Sequence, residues 1–173
     1  MFKDINDESV RAYDQQFLDR DLGNASIAVV ASVDKVYQKG EKKDKPFTNV
    51  TYEVLQGDFK GSRLTIKYDH TVEEINKNTG DTYAGGIPLM RRIAIACGHY
   101  EVKENNEKHV KKEAGGTFNP EALIGKKFVG DIKTKKNGDY WNYRIFNERE
   151  FVTFPEPIQD DRDKIGGPDL ENF

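Results

Sequence analysis

Hydrophobic and polar positions alternate most cleanly in two neighbouring stretches. In FTNVTYEVLQ (47–56) Val50, Tyr52 and Val54 face one way while Asn49, Thr51 and Glu53 face the other. In SRLTIKYDH (62–70) Leu64, Ile66 and Tyr68 face inward while Arg63, Thr65 and Lys67 face out. A period of two marks a half-buried strand. The link between them supplies Gly57 and Gly61 for turn geometry, so the pair predicts an antiparallel hairpin. A second hairpin is expected from KKFVGDIKTKK (126–136) and YWNYRIFNERE (140–150), joined through Asn137-Gly138-Asp139, with residues 151–154 continuing its edge. Upstream, ASIAVVASVDKVYQ (25–38) is rich in β-branched residues and bounded by Gly-Asn and Lys-Gly pairs, and it reads as the first strand of the body.

Between the hairpins the period changes. IPLMRRIAIACG (87–98) puts Leu89, Met90, Ile93, Ala94 and Cys97 on one stripe, with Pro88 in the first turn and Gly98 just past the end. That spacing predicts a helix, with a strand over RRIAIAC as the alternative. Residues 71–86 read as a loop with at most one helical turn, and 102–118 as an exposed, mobile excursion. Asn119 is placed to cap a short helix PEALIG. Near the start, NDESVRAYDQQFL (6–18) spaces Val10, Tyr13, Phe17 and Leu18 as a short amphipathic helix. The order predicts a mainly-β fold: a five-stranded OB-like barrel with one helix between the third and fourth strands. It would occupy residues 25–154, between an N-terminal extension (1–24) and a C-terminal tail (155–173).

Composition narrows the setting. A chain of 173 residues suits one domain with a real core. No apolar run approaches bilayer length, and MFKDINDESV has neither the basic nor the apolar region of a secretion signal. The lone Cys97 supports no internal disulfide and no metal-ligand spacing, so a cytoplasmic protein without a metal or cofactor is expected.

The net charge of −3 conceals a segregation. Residues 1–21 carry 3 basic and 6 acidic groups, whereas residues 22–154 carry 22 basic and 18 acidic, a surplus of 4. The tail, PEPIQDDRDKIGGPDLENF, has 6 acidic residues against 2 basic, three prolines and no apolar run. It cannot bury enough surface to offset the entropy of ordering, which predicts disorder. A basic body suits a polyanion, and an acidic arm tipped by Phe173 suits capture by a basic pocket elsewhere, with Asp169, Glu171 and Phe173 as the docking residues.

An open β face that holds a single nucleic-acid strand needs cations along the backbone path and aromatic faces for the bases, each stack contributing roughly 1 to 3 kcal/mol. The outward positions supply Arg63 and Lys67 on one strand, Lys133 and Lys135 on another, and Tyr140 and Arg144 on a third. Lys42, Lys43 and Lys45 cluster in a nearby loop, with Tyr37 and Phe47 beside it. Trp141 shares the parity of Tyr143 and Ile145 and is expected to pack rather than stack. An enzymatic alternative exists: Pro120-Glu121 followed by Asp131-Ile132-Lys133 has the outline of PD-(D/E)xK nucleases, whose carboxylates hold a metal ion beside a lysine. No further carboxylate completes it. Gly125-Lys126-Lys127 lacks the other elements of a phosphate-binding loop, and the three histidines with Cys97 are too scattered for zinc.

These residues also carry a resemblance. TYEVLQGDFKGSRLTIKY, the helix ending ACG and ALIGKKFVGDIKTKKNGDYWNYRI resemble small phage-encoded single-stranded DNA-binding proteins of recombination and replication modules. The tail resembles the acidic, aromatic-ended tails of bacterial and phage single-strand binding proteins, although it is less acidic and has Asn172 before Phe173. The resemblance implies a non-catalytic protein that coats and protects single-stranded DNA and recruits replication or recombination partners through its tail. It leaves the oligomeric state open, a homo-oligomer included. A phage nuclease using Glu121, Asp131 and Lys133 and a phage structural protein are the alternatives.

Overall fold

The structure, a computed structural model, describes residues 17–103, 108–111 and 120–152. The helix expected over 6–18, but for its last two residues, lies outside them, as do the Asn119 cap and the tail 155–173.

The expected strands form one antiparallel sheet in the order β3-β2-β1-β8-β9. β1 spans Leu22–Val36, β2 Pro46–Val54, β3 Arg63–Asp69, β8 Lys127–Asn137 and β9 Tyr140–Glu150. The long β1 serves both halves: Leu22 to Ala28 pair with β8, and Ile27 to Val36 with β2. Its register shifts between Val29 and Ala31, and a bulge of this kind bends a strand and lets the sheet curl. β2 and β3 pair from Phe47↔Asp69 to Glu53↔Arg63, as the alternation predicts. β8 and β9 pair from Phe128↔Glu150 to Asn137↔Tyr140, leaving Gly138 and Asp139 as a two-residue turn. Gly138 has φ 64°, which explains why the turn needs a glycine there.

The sheet is not closed into a barrel: no ladder joins β3 to β9 among the described residues. Two wedges account for this. Leu18, 1% exposed, donates its N–H to the Arg63 carbonyl (3.0 Å), and its own carbonyl accepts the Tyr143 hydroxyl (2.6 Å), so it bridges β3 and β9 at one end. At the other end α1 (Gly86–Ala96) packs against both strands and buries Met90, Ile93 and Ala94. Its entry is tight, since a Cβ at Gly86 would lie 2.1 Å from the Asp69 carbonyl oxygen. The core gathers Ile27, Val29, Val50, Tyr52, Leu64, Phe128, Ile132 and Ile145 against this helix, and Leu18 and Leu22 extend it into what was expected to be an extension.

Several local expectations are corrected or refined. Within 71–86 a small hairpin forms, β4 (Glu73–Ile75) with β5 (Thr82–Ala84). Its side chains are mostly exposed, so it leaves no apolar alternation; the Asn76 carboxamide organises it by accepting the N–H groups of Asn78 and Thr79. The segment expected as an excursion begins with β6 (Tyr100–Lys103) paired to β7 (Lys108–Lys111). Strands of four residues carry too little period to read. The short helix at 120 is a 3-10 turn, Pro120–Leu123, anchored by buried Leu123. Residues 151 and 152 do not extend β9, and 153 and 154 lie outside the described residues.

Candidate nucleic-acid interface

Alternation along β2 and β3 places Phe47, Asn49, Lys67 and Asp69 on the face away from the core. Phe47 is nonetheless buried, because Tyr37, just past the end of β1, lays its ring 4.5 Å away and Lys67 crosses it. The Lys67 ammonium lies 5.0 Å from the Tyr37 ring centroid and 4.8 Å from that of Phe47. Among the described residues no carboxylate pairs with it. A cation held over two aromatic faces can take an anionic group beside a stacked ring.

The loop between β1 and β2 is fastened to this group through Asp69. Its carboxylate accepts the Tyr37 hydroxyl and the Lys42 ammonium, and Lys42 reaches Glu74 at 3.5 Å. Partial burial raises the Asp69 pKa, but these two donors more than offset it and hold the carboxyl below its ordinary range. Burial, together with the acceptor carboxylate, pushes the Tyr37 hydroxyl up, and the Asp69 contact raises Lys42. Lys45 lines a small cavity of ≈ 110 Å³ with Tyr37, Lys42 and Asp69, and Lys43 projects into solvent.

On the far side of Lys67 the unclosed seam opens. A cavity of ≈ 360 Å³ there is lined by Asn49, Thr65, Ile66 and Lys67 from one side and Tyr140, Trp141, Asn142 and Tyr143 from the other. Tyr140 is 78% exposed at the hairpin tip. Trp141 does both jobs: it packs on the core as expected, and its ring also lines the cavity, with the Lys136 ammonium 5.8 Å away. A more open hollow of ≈ 560 Å³ follows Lys35, Val36, Tyr37, Gln38 and Phe47 on the near side. Lys67 lies over two rings that line the near hollow and itself lines the seam cavity.

The structure therefore brings together Tyr37, Lys42, Lys45, Phe47, Lys67 and Tyr140. It does not bring in Lys133, which pairs with Asp21 at 2.9 Å on β8, with β1 and β2 between it and β3 in the sheet. Arg63 is drawn to Glu53 at 3.5 Å. Arg144 lies opposite Lys133, and Lys135 opposite Asn142. Exposed Phe17 bridges to Arg63, an aromatic position that sequence spacing had assigned to a helix.

Two residues of the nuclease outline, Asp131 and Lys133, are engaged in internal contacts. Asp131 is buried and accepts the Asn24 N–H and the Asn147 carboxamide, each at 2.8 Å. Both asparagines have φ 53°, so this carboxylate pins two left-handed residues within β1 and β9. Glu121 is exposed on the 3-10 turn. Among the described residues no group of three His, Cys, Asp or Glu is arranged to hold a metal ion. Cys97 is half-buried against the core, and burial pushes its thiol up to about 12. No described helix is long and apolar enough to cross a membrane. Comparison with protein-family models, curated proteins and solved structures gave no match.

Proposed function

We propose that this chain is a non-catalytic single-stranded DNA-binding protein, of the kind that coats and protects single strands in phage replication or recombination. The observation that carries the reading is Lys67: a cation without a carboxylate partner among the described residues, held over Tyr37 and Phe47 and lining the cavity that Tyr140 and Trp141 share. A strand crossing the β2–β3 face would meet, in order, an aromatic pair, a positive charge and a second aromatic group.

The sheet order, with α1 between β3 and β8, supports an OB-like body whose barrel is left open at the β3–β9 seam. OB folds bind oligonucleotides on the face of their second and third strands, between the loop joining strands 1 and 2 and the loop joining strands 4 and 5. Here those loops are 37–45 and the 138–139 turn. The basic surplus of residues 22–154 supplies long-range attraction to a polyanion. The acidic tail would recruit replication or recombination proteins through Asp169, Glu171 and Phe173 and compete with DNA for the basic face. Removing residues 155–173 should therefore tighten single-strand binding at low salt; equal affinity at several salt concentrations would remove that role for the tail.

The test is incubation with labelled oligonucleotides and Mg²⁺. Shifted, intact single strands support the reading. Fragments would overturn it in favour of a nuclease, and an unshifted, uncut strand would point to a structural protein.

A further inference from the structure

We infer that the open seam between β3 and β9 is a pocket for one nucleobase, and that the carboxamides of Asn49 and Asn142 set which base it prefers. The inference rests on the single-strand reading above and adds a specificity element to it. The seam is bounded rather than merely loose. Leu18 spans it at one end, through the Arg63 carbonyl and the Tyr143 hydroxyl. At the other end α1 packs on both strands and Arg92 approaches Glu148 of β9 at 3.7 Å. What remains between is the ≈ 360 Å³ cavity, at the small end of the range of about 300 to 1,000 Å³ typical of ligand sites.

Two of the lining hydroxyls are already engaged. The Tyr143 hydroxyl is spent on Leu18, and the Thr65 hydroxyl bonds Thr51 at 2.9 Å. The carboxamides of Asn49 and Asn142 make no hydrogen bond to any described residue, yet they line the cavity from opposite sides. Each offers donors beside an acceptor, the pattern that reads a base edge in pairs. Ile66 and the Trp141 ring supply apolar contact for the base plane, and Lys67 stands where the attached phosphate would run. Polar edge, apolar face and adjacent anion together are the chemistry of a nucleotide.

The test uses the full-length protein and fluorescent dA, dC and dT homopolymers, read by anisotropy. Wild type should prefer one homopolymer by about 5- to 10-fold, the low end for a bidentate base contact because Asn142 is exposed. The double variant Asn49→Ala, Asn142→Ala should level that preference while keeping wild-type affinity for the weakest homopolymer. Asn142→Asp, which keeps acceptors and removes donors, should change which homopolymer binds best. Tyr140→Ala should weaken all three alike. No preference in wild type, or a preference that survives unchanged in the double variant, would overturn the pocket while leaving single-strand binding intact. Absence of binding to every homopolymer would remove the single-strand reading and this inference with it.

Discussion

Two sides of one sheet use the same residue types to opposite ends. Around β2 and β3, among the described residues, Lys67 rests on aromatic rings without an anion and the Asn49 carboxamide has no hydrogen-bond partner. Around β8 and the lead-in to β1 the polar groups are consumed internally. Buried Asp21 accepts the N–H and hydroxyl of Thr134, both at 2.8 Å, and pairs with Lys133. Asp131 ties Asn24 to Asn147, with Arg149 at 3.8 Å. A lysine on a strand is informative only once its partner is known. Counted along the chain, Lys67 and Lys133 are equivalent; in space Lys133 has a carboxylate partner and Lys67, among the described residues, has none.

The largest effects should separate these two sides. Tyr140→Ala should weaken oligonucleotide binding by roughly 5- to 150-fold, the worth of one base stack. Lys67→Ala should lower the slope of log affinity against log salt by about 1. Lys133→Ala should leave both quantities near wild type and lower the melting temperature instead, because it strips a partner from buried Asp21. Equal losses of affinity in the Lys67 and Lys133 variants would erase the asymmetry. Anisotropy titrations at several salt concentrations measure affinity and slope, and thermal melting measures the third quantity.

A smaller effect concerns stability alone. Asp131→Ala deprives the Asn24 N–H and the Asn147 carboxamide of their acceptor and should cost about 1 to 3 kcal/mol in urea unfolding. Asn49→Ala, on the other side, should cost almost nothing, since no described residue bonds that carboxamide.

The smallest effect lies beneath the seam and depends on pH. Burial raises the pKa of Glu148, against the pull of Arg92, so its ionised form costs stability. That cost grows as pH rises above the unfolded value of about 4.3 and is complete above the raised folded value. Glu148→Gln should therefore melt higher than wild type at pH 7 and converge with it near pH 4. Asp21 and Asp69 have the opposite sign. In Asp21, burial is outweighed by Thr134 and Lys133, and its carboxyl is held low. The stabilisation from both is complete above about 3.9 and fades as pH falls through their lower folded values. Melting curves from pH 3 to 8 distinguish the two trends.

Much of the sheet was legible because its strands are long and half-buried. Val50, Tyr52 and Val54 against Asn49, Thr51 and Glu53 announce a hairpin by period alone, and Asn137-Gly138 announces its turn. The helix showed for the same reason, through Met90, Ile93 and Ala94. The hairpin β4–β5 escaped because its exposed three-residue strands bury almost nothing, and a pattern read from burial cannot report it. At the site, residue types picked out candidates one at a time but not their company. Tyr37, Phe47 and Lys67 were chosen separately as aromatic or basic outward positions, and nothing in their spacing joins them.

Period and turn residues thus settle which long segments become strands and which face their side chains take, since these are local consequences of backbone geometry and burial. Which cations meet carboxylates, where Asp131 ends up and whether the sheet closes are contacts between segments far apart in the chain. Leu18 and α1 each contact both β3 and β9, and the cavity beside Lys67 lies in the seam between those strands.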